Sequence, residues 1–223
     1  MTNPDISLVA ALLDRSGSMQ TIVDDTRGGF DAYIAKVRAD REPQEKVFVS
    51  LAQFDHEYDD VYLNRPVDDV APLTLQPRGM TALLDALGRF ITSVGASLAA
   101  LPEHDRPGDV TVLVMTDGME NASVEWQIDA VRALIKQQTD TYNWEFVFLG
   151  ANIDAVAVGT NLGFSADRSM TYAPSSVGVA SSYGAVADLK ARKRAAYRAA
   201  PAGAPPAPVA GFSDDDRSRA RGE

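Results

Sequence analysis

Residues 6–13 (ISLVAALL), 47–53 (VFVSLAQ), 110–115 (VTVLVM) and 144–149 (WEFVFL) are near-continuous apolar runs. Runs of this length are the pattern of strands buried on both faces of a sheet. Between them the apolar period lengthens. Met19, Ile22, Val23, Phe30, Tyr33, Ile34 and Val37 recur at helical spacing, which predicts a helix over 19–37 that ends at Arg41-Glu42-Pro43. Gly28-Gly29 interrupts that helix and predicts close packing on the sheet. A second stripe carries Leu83, Leu84, Leu87, Phe90, Ile91, Val94, Leu98 and Leu101, with Thr81 where an N-cap belongs. A third helix is predicted over 124–136 with Val124, Ile128, Val131, Leu134 and Ile135 inward. Weaker signals give helices over 153–162 and 177–199 and a short strand over 168–172. Residues 58–63 read as an antiparallel edge strand, because Phe54-Asp55-His56-Glu57 is too short for a crossover. Pro66 and Pro72 predict that 65–76 is irregular.

Strands alternating with helices predict an α/β fold: a doubly wound, mostly parallel sheet with one antiparallel edge strand and helices on both faces. The predicted domain spans 1–199. From Ala200 the composition turns to Pro and Ala and then to a charged run, which predicts an extended tail over 200–223. The chain has 223 residues, 45% of them hydrophobic, so one sizeable core is expected. There is no cysteine, which excludes disulfides and thiolate metal sites. The formal charge of −10 argues against a nucleic-acid binder. From Asp188 onward eight basic residues stand against five acidic ones, so the excess acid lies in the preceding part. No apolar stretch approaches a membrane span. Residues 6–13 have no basic flank and run into Asp14, so they read as a core strand rather than a leader, and a cytoplasmic location is expected.

The candidate chemistry sits where the apolar runs stop. Asp14-Arg15-Ser16-Gly17-Ser18 follows the first strand and offers a carboxylate and two hydroxyls, with no imidazole or thiol. Such an oxygen-only set suits a hard cation: Mg2+, or Mn2+ or Ca2+ in its place. Gly17 is expected to let both serines face one point. The third strand ends in Thr116-Asp117-Gly118, and the loop before the second long helix contains Gly79-Met80-Thr81. In open α/β sheets ligands bind beyond the carboxyl ends of the strands. If these loops are neighbours, Asp14, Ser16, Ser18, Thr81 and Asp117 meet as two carboxylates and three hydroxyls.

Asp14-x-Ser16-x-Ser18, the threonine of Gly79-Met80-Thr81 and the aspartate of Thr116-Asp117-Gly118 together resemble the von Willebrand factor type A (VWA) domain and its metal-ion-dependent adhesion site (MIDAS). The resemblance covers residues 5–199 and extends to the order and spacing of all three parts. It implies a Rossmann-like fold of the prokaryotic or phage intracellular type. It also implies that Ser16, Ser18 and Thr81 contact the metal through hydroxyls, while Asp14 and Asp117 act directly or through water. A partner's acidic side chain would complete the coordination sphere. The implied function is a metal-dependent protein-binding module, not an enzyme. Its partner could be an AAA+ ATPase or another component of the same gene cluster.

Around this core Met80, Met119, Glu120 and Asn121 are expected to rim the metal face as a partner-binding surface, and Asp85 reads as a supporting hydrogen-bond acceptor. His56 and His104 fall in predicted loops and read as solvated. The pairs Asp24-Asp25, Asp59-Asp60 and Asp68-Asp69 read as acidic surface without EF-hand spacing, and Trp126 and Trp144 as core. The residues also admit two alternatives. In one, the protein is a scaffold with a structural metal, whose basic helix end (Lys190, Arg192, Lys193, Arg194, Arg198) and tail dock an acidic partner. In the other, Asp14 is the nucleophile of a Mg-dependent phosphoryl hydrolase. Against the second, Ser16 stands where an acid/base carboxylate is needed, and no phosphate-clamping lysine is evident.

Overall fold

The computed structural model describes residues 2–200 and 206–223. Its centre is a six-stranded sheet with the order β3-β2-β1-β4-β5-β6. The strands are β1 (Asn3–Asp14), β2 (Lys46–Phe54), β3 (Tyr58–Pro66), β4 (Pro107–Thr116), β5 (Glu145–Ala151) and β6 (Ser169–Tyr172). All pairings are parallel except that of β2 with the edge strand β3. The doubly wound fold and its antiparallel edge therefore stand as the sequence predicts. The order reverses between β1 and β4, which makes their carboxyl ends the topological switch point.

Alternation along β1 divides the core. Val9, Ala11 and Leu13 face one layer, and Leu8, Ala10 and Leu12 face the other. The first layer is covered by α1 (Val23–Ala39) and α5 (Ser176–Ala199). The second is covered by α2 (Leu83–Ala99), α3 (Ile128–Tyr142) and α4 (Ala155–Leu162). Because both faces are sealed, the central strands are mostly apolar, and the polar residues they do carry, such as Ser50, Asp109 and Thr111, are themselves buried.

Several local expectations change. The first helix is divided: Gly17–Ile22 is a 3-10 turn, and α1 begins at Val23. Gly29 packs on α5 rather than on the sheet, since a Cβ there would lie 2.7 Å from Cδ2 of Tyr183. β3 runs on through Arg65 and Pro66, which an edge strand tolerates because its outer side needs no donor. α3 starts at Ile128, and Val124, expected inside, is 84% exposed. Residues 119–126 are instead held in a loop by side-chain bonds from α2, described below.

The carboxyl-terminal segment departs most from expectation. Residues 201–205 lie outside the described residues, but Asp214–Arg221 forms a helix, α6, rather than an extended tail. Ser213 and Asp216 make a capping box, and Phe212 and Ala220 are buried in the α1/α5 layer. Ala173 donates to the carbonyl of Ala220 at 2.8 Å, and Arg217 donates to the carbonyl of Ser169 at 2.7 Å. The short helix is stabilised by an existing core, which a composition-based expectation of disorder does not count.

The basic end of α5 is not an exposed patch. Lys190, Lys193 and Arg194 are buried. Lys190 and Lys193 reach Asp109 at 3.1 and 2.7 Å, and Arg194 and Arg198 each reach Glu45 at 3.3 Å. These cations lock α5 onto the amino ends of the strands, so four of the five proposed docking residues are already paired internally, three of them buried.

Candidate metal centre

β1 ends in Asp14, whose carboxylate is fully buried. Its Oδ1 accepts from the backbone amide of Ser16 at 2.6 Å, which folds the Asp14–Ser18 turn back on itself. Its Oδ2 accepts from Thr116 Oγ1 at 2.5 Å, tying β1 to the end of β4. Ser16 Oγ and Ser18 Oγ lie 3.1 Å apart, and Ser18 Oγ donates to Asp117 Oδ1 at 2.6 Å. The glycine after Asp117 leaves room for the third loop. A Cβ on Gly118 would stand 3.3 Å from Thr81 Oγ1 and 3.5 Å from Ser18 Oγ. Asp14, Ser16, Ser18, Thr81 and Asp117 thus converge at the switch point from loops more than 30 residues apart.

The left-handed turn is not at Gly17, whose added Cβ would meet only ordinary contact. It is at Gly79, with φ +67°, where a Cβ would fall 2.1 Å from His56 Nδ1. The Gly79 carbonyl accepts from the Gly17 amide at 3.1 Å. Thr81 is not the N-cap of α2; Ala82 occupies that position, and no side chain of its own caps the helix. The cap is supplied across the loop: Glu120 accepts from the amide of Leu84 at 2.9 Å and Ser123 Oγ from that of Asp85 at 3.1 Å. Asp85 returns three bonds, from the amides of Val124, Glu125 and Trp126 at 2.9, 2.9 and 2.7 Å. Asn121 Oδ1 accepts from the Thr81 amide at 2.9 Å, and the Asn121 amide donates back to the Thr81 carbonyl at 3.0 Å. Of the expected rim, Met80 and Met119 stand out at 56% and 66% exposure, whereas the polar groups of Glu120 and Asn121 hold the loop.

Burial pushes the Asp14 carboxyl up to about 6, against hydrogen bonds from Thr116 and Ser16 and with a contribution from Asp117. Burial also raises the Asp117 carboxyl, opposed by the Ser18 hydrogen bond. Among the described residues no arginine or lysine is a main cause of either shift. Two carboxylates that no cation among the described residues pairs with, surrounded by hydroxyls, form a donor set that a hard divalent ion fits. Among the described residues no three His, Cys, Asp or Glu side chains cluster to hold a metal. Any cation held here would depend on hydroxyls for part of its shell.

A neighbouring group escaped the sequence reading. Asp55 is fully buried at the β2–β3 turn. Its Oδ2 accepts from Arg15 Nε at 2.9 Å and from Arg78 Nε at 2.8 Å. Burial works to raise the Asp55 carboxyl, but hydrogen bonds from Arg78, the Glu57 backbone and Arg15 outweigh it and hold it below its ordinary value. Asp59, expected to be solvated surface, also pairs with Arg15. His56, expected in solvent, is half-exposed with Nδ1 3.2 Å from Asp55. An Asp and two Arg scattered along a chain carry no spacing signal, so only the folded loops reveal them.

Solved structures with the same architecture come from distant proteins. Proximal thread matrix protein 1 from the mussel byssus is 15% identical and superposes with a TM-score of 0.59 over 85% of this chain and 47% of that one. The vWF domain of the type V pili tip protein Mfa5 from Porphyromonas gingivalis is 11% identical, with a TM-score of 0.58 over 84% of this chain and 95% of that one. The fold is that of the von Willebrand factor type A domain. A further VWA structure, from Catenulispora acidiphila, is 14% identical with a TM-score of 0.56 over 86% of this chain and 43% of that one. The mussel protein has also been solved with a zinc-occupied MIDAS motif, at 16% identity and a TM-score of 0.55 over 83% of this chain and 46% of that one. This chain spans about half the length of the mussel protein. No family model matches it, and no curated protein matches it. No helix among the described residues is long and apolar enough to cross a membrane.

Proposed function

We propose that this VWA-fold protein is a cation-dependent protein-interaction module. The observation that carries the reading is the convergence of Asp14, Ser16, Ser18, Thr81 and Asp117 from three loops at the switch point. Ser16, Ser18 and Thr81 would hold a divalent cation, Mg2+ first, through their hydroxyls, with Asp14 and Asp117 giving charge directly or through water. The bound cation supplies an electrophilic point for an external oxygen ligand. Three of the five donors are neutral hydroxyls, so the ion's charge is only partly neutralised by the chain, which favours a carboxylate from a partner. The flanking Met80 and Met119 are exposed and adaptable, which suits a protein contact.

On this reading the site binds and does not turn over. The partner is a protein offering an acidic side chain, such as an AAA+ ATPase or another product of the same gene cluster, in the cytoplasm of a bacterium or in a phage-infected cell. The mussel protein's zinc-occupied MIDAS supports a metal at this position of the fold. The test is capture of partners from host lysate by wild type and Asp14→Ala, each with Mg2+ or EDTA. Proteins retained only by wild type with Mg2+ are the expected outcome. The same proteins in every lane would refute the proposal.

A further inference from the structure

Three loops must meet for the site to exist, and only two are fixed by the sheet. Asp14 ends β1 and Asp117 follows β4, which are hydrogen-bonded neighbours. Thr81 lies on neither strand; it precedes α2 at the end of a long irregular segment. We propose that Arg15, Asp55 and Arg78 form a positioning clamp that seats the Thr81 loop against the Asp14–Ser18 turn and so sets the site's affinity for a divalent cation. This rests on the cation reading above.

The geometry of the clamp joins the two loops at three points and ties the Thr81 loop to the β2–β3 turn at a fourth. Arg15, directly after Asp14, and Arg78, three residues before Thr81, share one oxygen of the buried Asp55. The amide of Arg78 donates to the carbonyl of Arg15 at 2.7 Å, and that of Gly17 donates to the carbonyl of Gly79 at 3.1 Å. The Asp55 carbonyl accepts from the Ala82 amide at 2.8 Å, directly after Thr81. Its Oδ1 accepts from the Glu57 amide at 2.6 Å, which fixes the carboxylate itself. Asp59 and Glu57 pair with the outer nitrogens of Arg15 and Arg78. Among the described residues Arg15 Nη2 is buried with no hydrogen-bond partner, so this guanidinium is held by its carboxylates and not by solvent. Such supporting bonds govern where a ligand oxygen sits, and their loss elsewhere weakens metal binding by about 10–100-fold.

A positioning effect and a charge effect have opposite signs at Arg78. Its side chain is about half exposed (53%), and removing it takes a positive charge away from the cation's surroundings. Charge alone therefore predicts that Arg78→Gln binds Mg2+ more tightly, and loss of positioning predicts weaker binding. Calorimetric titration of the full chain with Mg2+ decides between them. We expect Arg78→Gln to bind about tenfold more weakly than wild type. In a Thr81→Ala background the same change should cost less than about twofold, because the clamp acts through Thr81. Thermal unfolding in EDTA should fall for Arg78→Gln, because the buried Asp55 loses one of its two arginines, but the variant should stay folded where binding is read, since Arg15 and the Glu57 amide still hold that carboxylate. Binding by Arg78→Gln that equals or exceeds wild type overturns the clamp, as does an equal loss of affinity in the Thr81→Ala background. Wild type that takes up no Mg2+ defeats the cation reading itself, and the clamp's effect on affinity with it.

Discussion

Asp14→Asn should make the cation-free protein more stable while abolishing its response to a cation. The Asp14 carboxyl is raised from 3.8 to about 6, chiefly by burial. A raised folded value means the folded state keeps a proton that the unfolded chain has lost, so stability falls as pH rises from about 4 and levels off above about 6. The difference corresponds to about 3 kcal/mol of destabilisation at neutral pH. Asparagine removes the charge but offers one acceptor where the carboxylate offered two. The Ser16 amide can keep its bond, and the Thr116 hydroxyl must turn from donor to acceptor, at a cost of about 1 kcal/mol. The net gain is about 2 kcal/mol, or about 4–8 °C for a chain of this size. Differential scanning calorimetry in EDTA at about pH 7.5 reads it directly. At about pH 4.5, where wild-type Asp14 is protonated, the gain should vanish or reverse. Mg2+ at a hundredfold excess over its dissociation constant should raise wild type by about 2.7 kcal/mol and leave Asp14→Asn unmoved. An asparagine variant no more stable than wild type in EDTA at about pH 7.5 would refute the burial reasoning. Equal Mg2+ stabilisation of both proteins would refute Asp14 as part of the cation site.

Two further predictions concern the scaffold. Asp109→Asn leaves the buried Lys190 and Lys193 without their shared carboxylate and should cost about 3–5 kcal/mol in urea unfolding. Burial works to raise Asp109, but Lys190 and Lys193 outweigh it and hold the carboxyl well below the ordinary range. Its stabilisation is therefore complete above the unfolded value near 4 and is lost only as pH falls below that, so acid titration of wild type and Asp109→Asn should converge at low pH. The adjacent glycines of α1 should respond oppositely to alanine. At Gly28 a Cβ meets nothing within 4 Å, and helix propensity should add about 0.5–1 kcal/mol. At Gly29 it would lie 2.7 Å from Tyr183 and 3.0 Å from Val179, and overpacking should cost about 1–3 kcal/mol in the same assay.

The apolar runs of β1, β2, β4 and β5 marked the buried layer of the fold, because strands sealed on both faces are predominantly apolar. The motif residues Asp14, Ser16, Ser18, Thr81 and Asp117 were also legible, since each follows a strand or precedes a helix at a place where the polypeptide must turn. Tertiary structure decided what composition could not weigh. Lys190, Lys193 and Arg194 read as a basic surface until Asp109 and Glu45, far away in the chain, supply their counter-charges. The segment 206–223 read as a tail because it has little apolar surface of its own, yet Phe212 and Ala220 need only an existing core to bury against. The local signals for that helix were the Ser213-x-x-Asp216 pattern, the acidic first turn, the basic last turn and Gly222 just past the end. Val124 read as helical core because periodicity is blind to Asp85, whose carboxylate gathers three amides of the 119–126 loop. Asp55 carries no signal at all in one dimension. Its place between Arg15 and Arg78 follows from the sheet order, which brings the β2–β3 turn beside the end of β1.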